Sequence, residues 1–261
     1  MKGIYQHFRP EEREILTLLN SKFEQASNNY YAVLTDFLNP REQKMIESLS
    51  GRYPDITVHY YGGGNNSERE RLRAILLPEY FLHSADDFEI TVFEVSYPDK
   101  FVTLSHRNLL GAIMSIGVDR AIIGDIVNGD KIQFAVTSPF KELFKRELTK
   151  IKNAPLKLTE IPHSEFIDSN VNMKPAAILS SSYRLDSIVS LVLKEGRAKS
   201  KERVEKEKVK VNHSIVDEPS FIIDTGDIIS VRGFGRFIVT EQIAETKKGK
   251  YRLEVMIVTD N

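Results

Sequence analysis

Basic side chains that could contact the phosphates of a nucleic acid are concentrated between residues 194 and 210. These basic residues outnumber the glutamates of the same segment. They are Lys194, Arg197, Lys199, Lys201, Arg203, Lys206, Lys208 and Lys210. Lys and Arg supply most of the sequence-independent affinity for nucleic acid, so this clustering matters more than the formal net charge of -1. The alternative is a solvated helix with Glu–Lys pairs at a spacing of four, such as Glu202 with Lys206.

Two predicted helices position these cations. Arg184 and Asp186 open the first helix, and Gly196 is expected to end it. The buried face of this helix would be Leu185, Ile188, Val189 and Val192. The first turns of the second helix would present Arg197, Lys199, Ser200 and Lys201. Backbone amides at helix starts also bind phosphate, so this placement favours an RNA-binding role.

A short strand is predicted after the second helix. Val209 and Val211 alternate with Lys208 and Lys210, so the valines would enter the core while the lysines face solvent. Asn212 tolerates the left-handed turn expected next. We expect the lysines of this strand to extend the cationic surface of the two helices into one binding face.

An aromatic residue bounded by glycines lies farther along the chain, in Arg232-Gly233-Phe234-Gly235-Arg236. Phe234 could stack on an unpaired base while Arg232 and Arg236 contact phosphate. The alternative is a hairpin with the phenylalanine turned inward. Two further strands, 237–244 and 251–258, are predicted to follow.

Residues 182–239 resemble the RNA-binding domain named after ribosomal protein S4, also called the alpha-L motif. Four motifs occur in the family's order: Arg184-Leu185-Asp186, Gly196 to Ser200, Glu207 to Asn212, and Gly226-Asp227-Ile228-Ile229. Glu207 replaces the family's usual glycine, and a left-handed helix end there would cost about 1 kcal/mol relative to glycine. Ser200 and Arg203 replace apolar residues, which leaves Val204 as the expected anchor of the second helix.

Residues 1–80 are predicted to form a small mixed domain. One helix would begin near Pro10, a second at Pro40, and residues 56–61 would form a strand. The first helix would bury Ile15, Leu18, Leu19 and Phe23. Ser67 would cap a third helix. That helix would carry Arg69, Arg71 and Arg73.

The middle region, residues 81–163, has the order strand, helix, strand, strand, helix, strand, which is typical of a ferredoxin-like (RRM-like) sandwich. The elements are predicted at 88–95, 105–117, 121–127, 131–137, 139–151 and 156–161. Some RNA readers of this fold stack bases on central aromatics, for which Phe134 is the candidate, with a core position as the alternative. Residues 164–181 would be a linker, and residues 182–261 the S4-type domain with its C-terminal hairpin.

Upstream motifs extend the resemblance to nearly the full length. Segments 62–71, 104–112 and 123–126, together with Val231 to Arg236, resemble the YlmH family. That family couples a ferredoxin-like middle domain to a C-terminal S4-type domain, which implies an α+β fold and RNA binding. Small S4-type relatives associate with the large ribosomal subunit when translation stalls. The resemblance therefore implies rRNA, tRNA and the large subunit as partners in translation quality control.

We therefore predict a non-catalytic protein that binds structured RNA. The predicted RNA contacts are Arg184, Arg197, Lys199, Ser200, Lys201, Lys208, Lys210, Asn212, Arg232 and Arg236. Additional candidates for RNA contact are Arg69, Arg71, Arg73, His106 and Arg107.

Two other functions remain open. Pseudouridine synthases share the Arg-Leu-Asp motif, use its aspartate as nucleophile and often carry an S4-type domain, so an RNA-modifying enzyme is one alternative. Asp186, however, is followed by an amphipathic helix where those enzymes have a Thr-Ser-Gly-like turn, which favours a helix-start acid. An adaptor linked to cell division is the other, since genes of this family often neighbour division genes.

Composition also limits the ligands and the cellular location that we expect. The chain has no cysteine, which excludes disulfides and thiolate metal sites, and its 6 histidines are scattered singly. We therefore expect no metal, cofactor or small-molecule substrate. No run of about 18 apolar residues and no signal-peptide core is present, so we expect a cytoplasmic protein with no membrane partner.

Overall fold

The computed structural model describes residue 8 and residues 10–64, 69–168, 172–246 and 249–259. It divides the chain into two compact units, Met1–Asn170 and Val171–Asn261. Among the helices within these described ranges, none has the length and apolar character needed to span a membrane.

The first unit begins with a three-stranded antiparallel sheet and two helices. Its elements are α1 Arg13–Asn29, β1 Val33–Leu38, α2 Pro40–Ser50, β2 Ile56–Tyr61 and β3 Leu72–Pro78, with strand order β1-β3-β2. The buried residues of α1 include Leu16, Leu19, Phe23 and Ala26. Leu18 is exposed and Ile15 only partly buried, so the predicted stripe was wrong at those two positions. Packing against the sheet selects the spacing 16, 19, 23 and 26.

The helix predicted after Ser67 is wrong over its described part, because residues 72–78 form the central strand β3. This strand is buried nearly throughout. A strand covered on both faces is apolar without alternation, so periodicity alone does not separate it from a buried helix. Ser67 and Glu68, the predicted start of the helix, lie outside the described residues.

The middle region has the predicted ferredoxin-like topology. It consists of β4 Ile90–Ser96, α3 His106–Met114, β5 Ile123–Asn128, β6 Ile132–Thr137, α4 Lys141–Glu147, the short strands β7 Lys150–Ile151 and β8 Ala154–Pro155, and β9 Lys157–Ile161. The antiparallel strand order is β5-β6-β4-β9. This is the order that a split β-α-β sandwich requires.

Both faces of the middle sheet are covered within the first unit. On one face, Phe93 and Phe134 belong to a core that includes residues of α3 and α4. On the other face, Val92 and Ala135 pack in a cluster with Ile75 of β3. The first two predicted domains therefore share a core, and a base cannot reach the fully buried ring of Phe134.

The second unit is a six-stranded sheet with two helices. Its elements are β10 Asn172–Ser180, α5 Leu185–Leu193, α6 Arg197–Glu205, β11 Val209–Val211, β12 Ser214–Ile215, β13 Ile228–Val231, β14 Gly235–Glu245 and β15 Tyr251–Thr259. The strand order is β10-β15-β14-β13-β11-β12. The stretch 164–181 is not a linker, because Phe166 is buried in the first unit and β10 pairs along its length with β15.

The backbone at the helix ends differs from the prediction in one place. Lys194, with φ of 53°, ends α5 in the left-handed region, whereas Gly196 has φ of -63° and precedes α6. Gly196 thus caps the second helix, which the run Gly196 to Ser200 was predicted to open, and does not end the first. Glu207 and Asn212 have φ of 54° and 48°, which confirms the two left-handed turns predicted for them.

Candidate nucleic-acid interface

Asp186 holds two of the predicted RNA-binding arginines together. Arg184 donates from Nε and Nη2 to its two carboxylate oxygens over 3.2 and 3.1 Å. Arg197, at the first position of α6, donates from the same two nitrogens over 3.2 and 3.3 Å. The carboxylate is therefore shared by two guanidinium groups, one from each helix start.

The charge of this trio is fixed by its surroundings. Burial raises the pKa of Asp186, but the hydrogen bonds and charges of Arg184 and Arg197 outweigh burial and hold that pKa below its ordinary value. Asp186 is only 2% exposed, whereas the Arg197 side chain is 55% exposed. The trio thus presents a net positive charge through its arginines, in orientations set by a buried anion.

Glu195 organises a second set of side chains around α6. It accepts hydrogen bonds from Ser200 Oγ at 2.9 Å and Arg203 Nε at 2.8 Å, and Lys199 Nζ lies 3.4 Å away. Burial raises the pKa of Glu195, but these three partners lower it overall. Because Ser200 and Arg203 are hydrogen-bonded to Glu195, they can occupy positions that are usually apolar.

Ser200 cannot make the predicted RNA contact. Its residue is fully buried beside Val204, and its hydroxyl donates to Glu195. Glu195 lies five residues before Ser200, just ahead of α6, so an acid at that position was a local signal for an internal partner.

Lys201 in α6 and Lys206, just after it, form ion pairs with glutamates one turn away. Lys201 pairs with Glu205 and Lys206 with Glu202, in each case at a spacing of four residues. Exposed pairs of this kind are weak, so a phosphate can compete for the lysine. The solvated-helix alternative therefore describes the exposed side of α6, while Arg197 at its start has the buried Asp186 as partner.

The strand lysines lie on the opposite side of the sheet from the helices. Val209 and Val211 belong to the core formed with α5 and α6, so Lys208 and Lys210 point away from that core. Lys210 pairs with Ser230, which pairs with Arg236, so these side chains share one face. The expectation of one continuous binding face was wrong, because strand alternation separates these cations from those of the helices.

We call Arg184, Arg197, Lys199 and Lys201 the helix-side group, and Lys208, Lys210, Arg232 and Arg236 the sheet-side group. Arg232 joins the latter because its backbone N–H donates to the Lys208 carbonyl over 2.8 Å, which continues the β11–β13 register. Arg203 of α6, which is in neither group, contacts the sheet-side group, with its Nη1 3.4 Å from the Arg232 carbonyl oxygen.

Asn212, another predicted contact, has a structural role. Its side-chain amide donates to Asp227 Oδ1 over 2.7 Å, and its side-chain oxygen accepts the Ile228 N–H over 3.0 Å. Both polar atoms of the side chain are thus used within the unit, where they tie the left-handed turn after β11 to the start of β13.

The three arginines near residue 70 lie in the interior of the first unit. Arg69, Arg71 and Arg73 are almost completely buried. Their guanidinium groups donate to backbone carbonyls, including Gly63 for Arg69 and Thr35 for Arg73. The expectation that they contact RNA was therefore wrong. Their period-two spacing was the sequence signal that could have identified an extended segment.

Arg71, like Arg73, donates to three backbone carbonyls. It donates from Nε to the Ile123 carbonyl over 2.9 Å and from Nη2 to the Phe37 carbonyl over 2.7 Å. The backbone N–H of Arg71 donates to the buried carboxylate of Asp125. Burial lowers the pKa of the Arg71 guanidinium and raises the pKa of Asp125. The Arg71 guanidinium thus links β1 and β5, a contact that sequence reasoning did not identify.

His106 and Arg107 begin α3, as predicted. Ser105 Oγ caps the helix by accepting the Asn108 N–H. Arg107 is exposed and His106 partly buried. Their RNA contacts stay a prediction for the first unit.

Phe234 lies at an exposed turn between β13 and β14. It is 40% exposed, and the inward phenylalanine of this hairpin is the fully buried Phe237. Gly233 and Gly235 on either side have φ of 85° and 124°. The alternative with Phe234 turned inward was therefore wrong.

Comparison with known proteins shows which family the chain is similar to. Residues 83–165 match a domain described as a putative RNA-binding domain in YlmH, and residues 184–229 match the S4 domain. The chain is 38% identical over 254 residues to the ribosome-associated protein quality control protein P2 of Bacillus subtilis (strain 168), covering 97% of this chain and 98% of the relative. A solved structure, the cell division protein ylmH from Streptococcus pneumoniae, is 33% identical with a TM-score of 0.54 and covers 64% of this chain and 100% of its own. Similarity at this level over nearly the whole length, with both domains matched in order, shows that the chain belongs to the YlmH family.

Proposed function

We propose that this protein binds structured rRNA and tRNA on the large ribosomal subunit, without catalysing a reaction, in the quality control of stalled translation. The observation that carries the proposal is the pair of arginines held by Asp186 at the starts of α5 and α6. A fixed guanidinium pair suits phosphates whose spacing is set by folded RNA, since the side chains lose little freedom on binding.

The relative from Bacillus subtilis, named as ribosome-associated in quality control, supports the choice of the ribosome. Irregular folded RNA is a suitable target because proteins recognise RNA by shape and phosphate contacts. A junction between rRNA and a bound tRNA offers such a shape.

The geometry of Asp186 argues against the enzyme alternative. A nucleophilic carboxylate must reach its substrate, but both oxygens of Asp186 accept hydrogen bonds from arginines and the residue is almost completely buried. Purified protein incubated with rRNA and tRNA should therefore leave their nucleotide composition unchanged. A modified nucleotide that disappears with Asp186→Ala or His106→Ala would establish the enzyme instead.

An adaptor role in cell division is the other alternative, in line with the name of the Streptococcus pneumoniae relative, a cell division protein. An adaptor that binds protein alone would not retain RNA. RNA retention that weakens steeply with salt, as expected when phosphate contacts release counterions, would count against it.

Sedimentation of cell extracts tests the proposed site. The wild-type protein should sediment with large subunits, and Arg197→Glu combined with Lys201→Glu should release it. Arg146→Glu with Lys150→Glu is the matched control, because both residues are exposed and the charge change is the same. If the first variant sediments like the wild type, the helix-side group is not the binding site.

A further inference from the structure

We propose that the turn between β13 and β14, residues Val231–Gly235, is a stacking site for one unpaired nucleobase, with Phe234 as the platform. This inference rests on the proposed RNA-binding function and adds a preference for RNA with an unstacked nucleotide beside a helix. The turn lies beyond residues 184–229, which match the S4 domain.

Phe234 differs from the other phenylalanines of its unit. Phe237 is fully buried and Phe221 is partly buried against the same core, whereas Phe234 is 40% exposed. An exposed aromatic ring gains favourable free energy when a flat apolar partner covers it, and every nucleobase offers such a face.

The backbone gives the turn a defined shape. The Phe234 N–H donates to the Val231 carbonyl over 3.0 Å. At Gly233, a Cβ atom would meet nothing within 4 Å, so glycine is required there by its positive φ and not by crowding. The ring is thus displayed on a turn whose conformation depends on glycine.

The turn is also attached to the candidate cations. The Arg232 N–H donates to the Lys208 carbonyl, and Arg203 Nη1 lies 3.4 Å from the Arg232 carbonyl oxygen. Arg203 is itself held by Glu195 at 2.8 Å. Because α6 supports the turn, the ring is positioned before any ligand arrives, which lowers the entropy cost of binding.

Charge identifies the ligand as a nucleotide. Lys208 and Arg232 are both exposed, and neither forms a salt bridge with a residue that the structure describes. They can contact the phosphates next to a base stacked on Phe234. In a perfect duplex the bases are already stacked on each other, so the site selects an unpaired base.

The chain has no tryptophan, so Phe234→Trp supplies a single fluorescent reporter at the turn. The probes are an RNA hairpin with a fully paired stem and the same hairpin with one unpaired adenine. We expect the second RNA to quench the fluorescence of the Phe234→Trp variant and the paired RNA to leave it nearly unchanged. Phe101→Trp, at a residue that is 88% exposed in the other unit, is the matched control and should respond to neither RNA.

Affinity measurements complete the test. Phe234→Ala should weaken binding of the hairpin with the unpaired adenine about tenfold, as expected for loss of one base–aromatic stack, and leave the paired hairpin unchanged. Equal affinity of wild type and Phe234→Ala for both RNAs, or quenching by both alike, would overturn the stacking site.

Arg197→Glu separates this proposal from the proposed function. If Arg197→Glu leaves the affinity for both hairpins intact while Phe234→Ala removes the preference for the unpaired adenine, the stacking site stands and the helix-side group fails. If the wild type binds neither hairpin, both proposals are rejected. A thermal unfolding curve of Phe234→Ala that matches the wild type confirms that the exposed ring is not needed for folding.

Discussion

Arginines occur in two contrasting settings in this protein. Arg71 and its neighbours donate to backbone carbonyls in the interior of the first unit, while Arg184 and Arg197 share a buried carboxylate and keep exposed surface. Arginine and lysine content alone therefore does not identify an RNA-binding surface. The difference is where the partner lies: Arg71 is buried with its partners, whereas Asp186 is buried beneath arginines that remain accessible.

The largest expected effect is the loss of stability when a buried arginine is removed. Arg71→Ala would leave the Phe37 carbonyl without its arginine donor and the Ile123 carbonyl with only Arg120 as a side-chain donor, in a site that is 7% exposed. We expect it to lower the free energy of unfolding by about 3 kcal/mol. Urea unfolding of the isolated protein measures this change, with the exposed Arg146→Ala as control, for which we expect a change within about 0.5 kcal/mol. Equal stabilities for the two variants would show that Arg71 is not structural.

Removal of the two arginines bound to Asp186 should weaken RNA binding. Arg184→Ala combined with Arg197→Ala should lower RNA affinity at least about tenfold, because two ordered phosphate contacts are lost. The slope of log affinity against log salt should become shallower by about 0.9 for each contact. Filter binding at several salt concentrations measures both. An unchanged slope would mean that these arginines do not contact phosphate.

Acid should remove the contribution of Asp186 to stability. The pKa of Asp186 is lowered in the folded protein, so its contribution to stability is present above its unfolded pKa of about 3.9 and is lost as the pH falls through the folded value. Asp186→Asn should therefore flatten the decline in stability below about pH 4. Urea midpoints measured between about pH 2 and pH 6 test this, and a decline as steep as that of the wild type would contradict it.

The smallest expected effect concerns the left-handed residue Glu207, just before β11. Glu207 occupies a left-handed position with φ of 54°, so Glu207→Gly should stabilise the protein by up to about 1 kcal/mol. Removal of one acid near Lys208 should also strengthen RNA binding slightly. Thermal unfolding measures the first effect, with Glu202→Gly inside α6 as a control that should destabilise. A lower melting temperature for Glu207→Gly would contradict the assignment of backbone strain.

Much of the second unit could be predicted from sequence because its signals are local. Leu185, Ile188 and Val192 have helical spacing, and all of them are buried in α5. Val209 and Val211 alternate with lysines and enter the core as predicted. The middle domain was predicted for the same reason, since each of its elements has its own pattern and the order of elements limits the topology.

The errors arose where the outcome depends on distant residues. The apolar run of β3 is covered by α1 and α2 on one face and by the middle sheet on the other, none of which a local pattern shows. The separation of Lys210 from Arg197 follows from strand alternation, but only the position of α6 shows that they lie on opposite sides.

Crosslinking of the protein to RNA in cells, followed by sequencing of the attached RNA, tests the central claim most directly. We predict that the reads concentrate in structured large-subunit rRNA and in tRNA, and that Arg184→Ala with Arg197→Ala removes most of this enrichment while Arg146→Ala does not. Reads spread over all cellular RNA, or the same enrichment in both variants, would contradict the claim that the arginines held by Asp186 form the RNA-binding site.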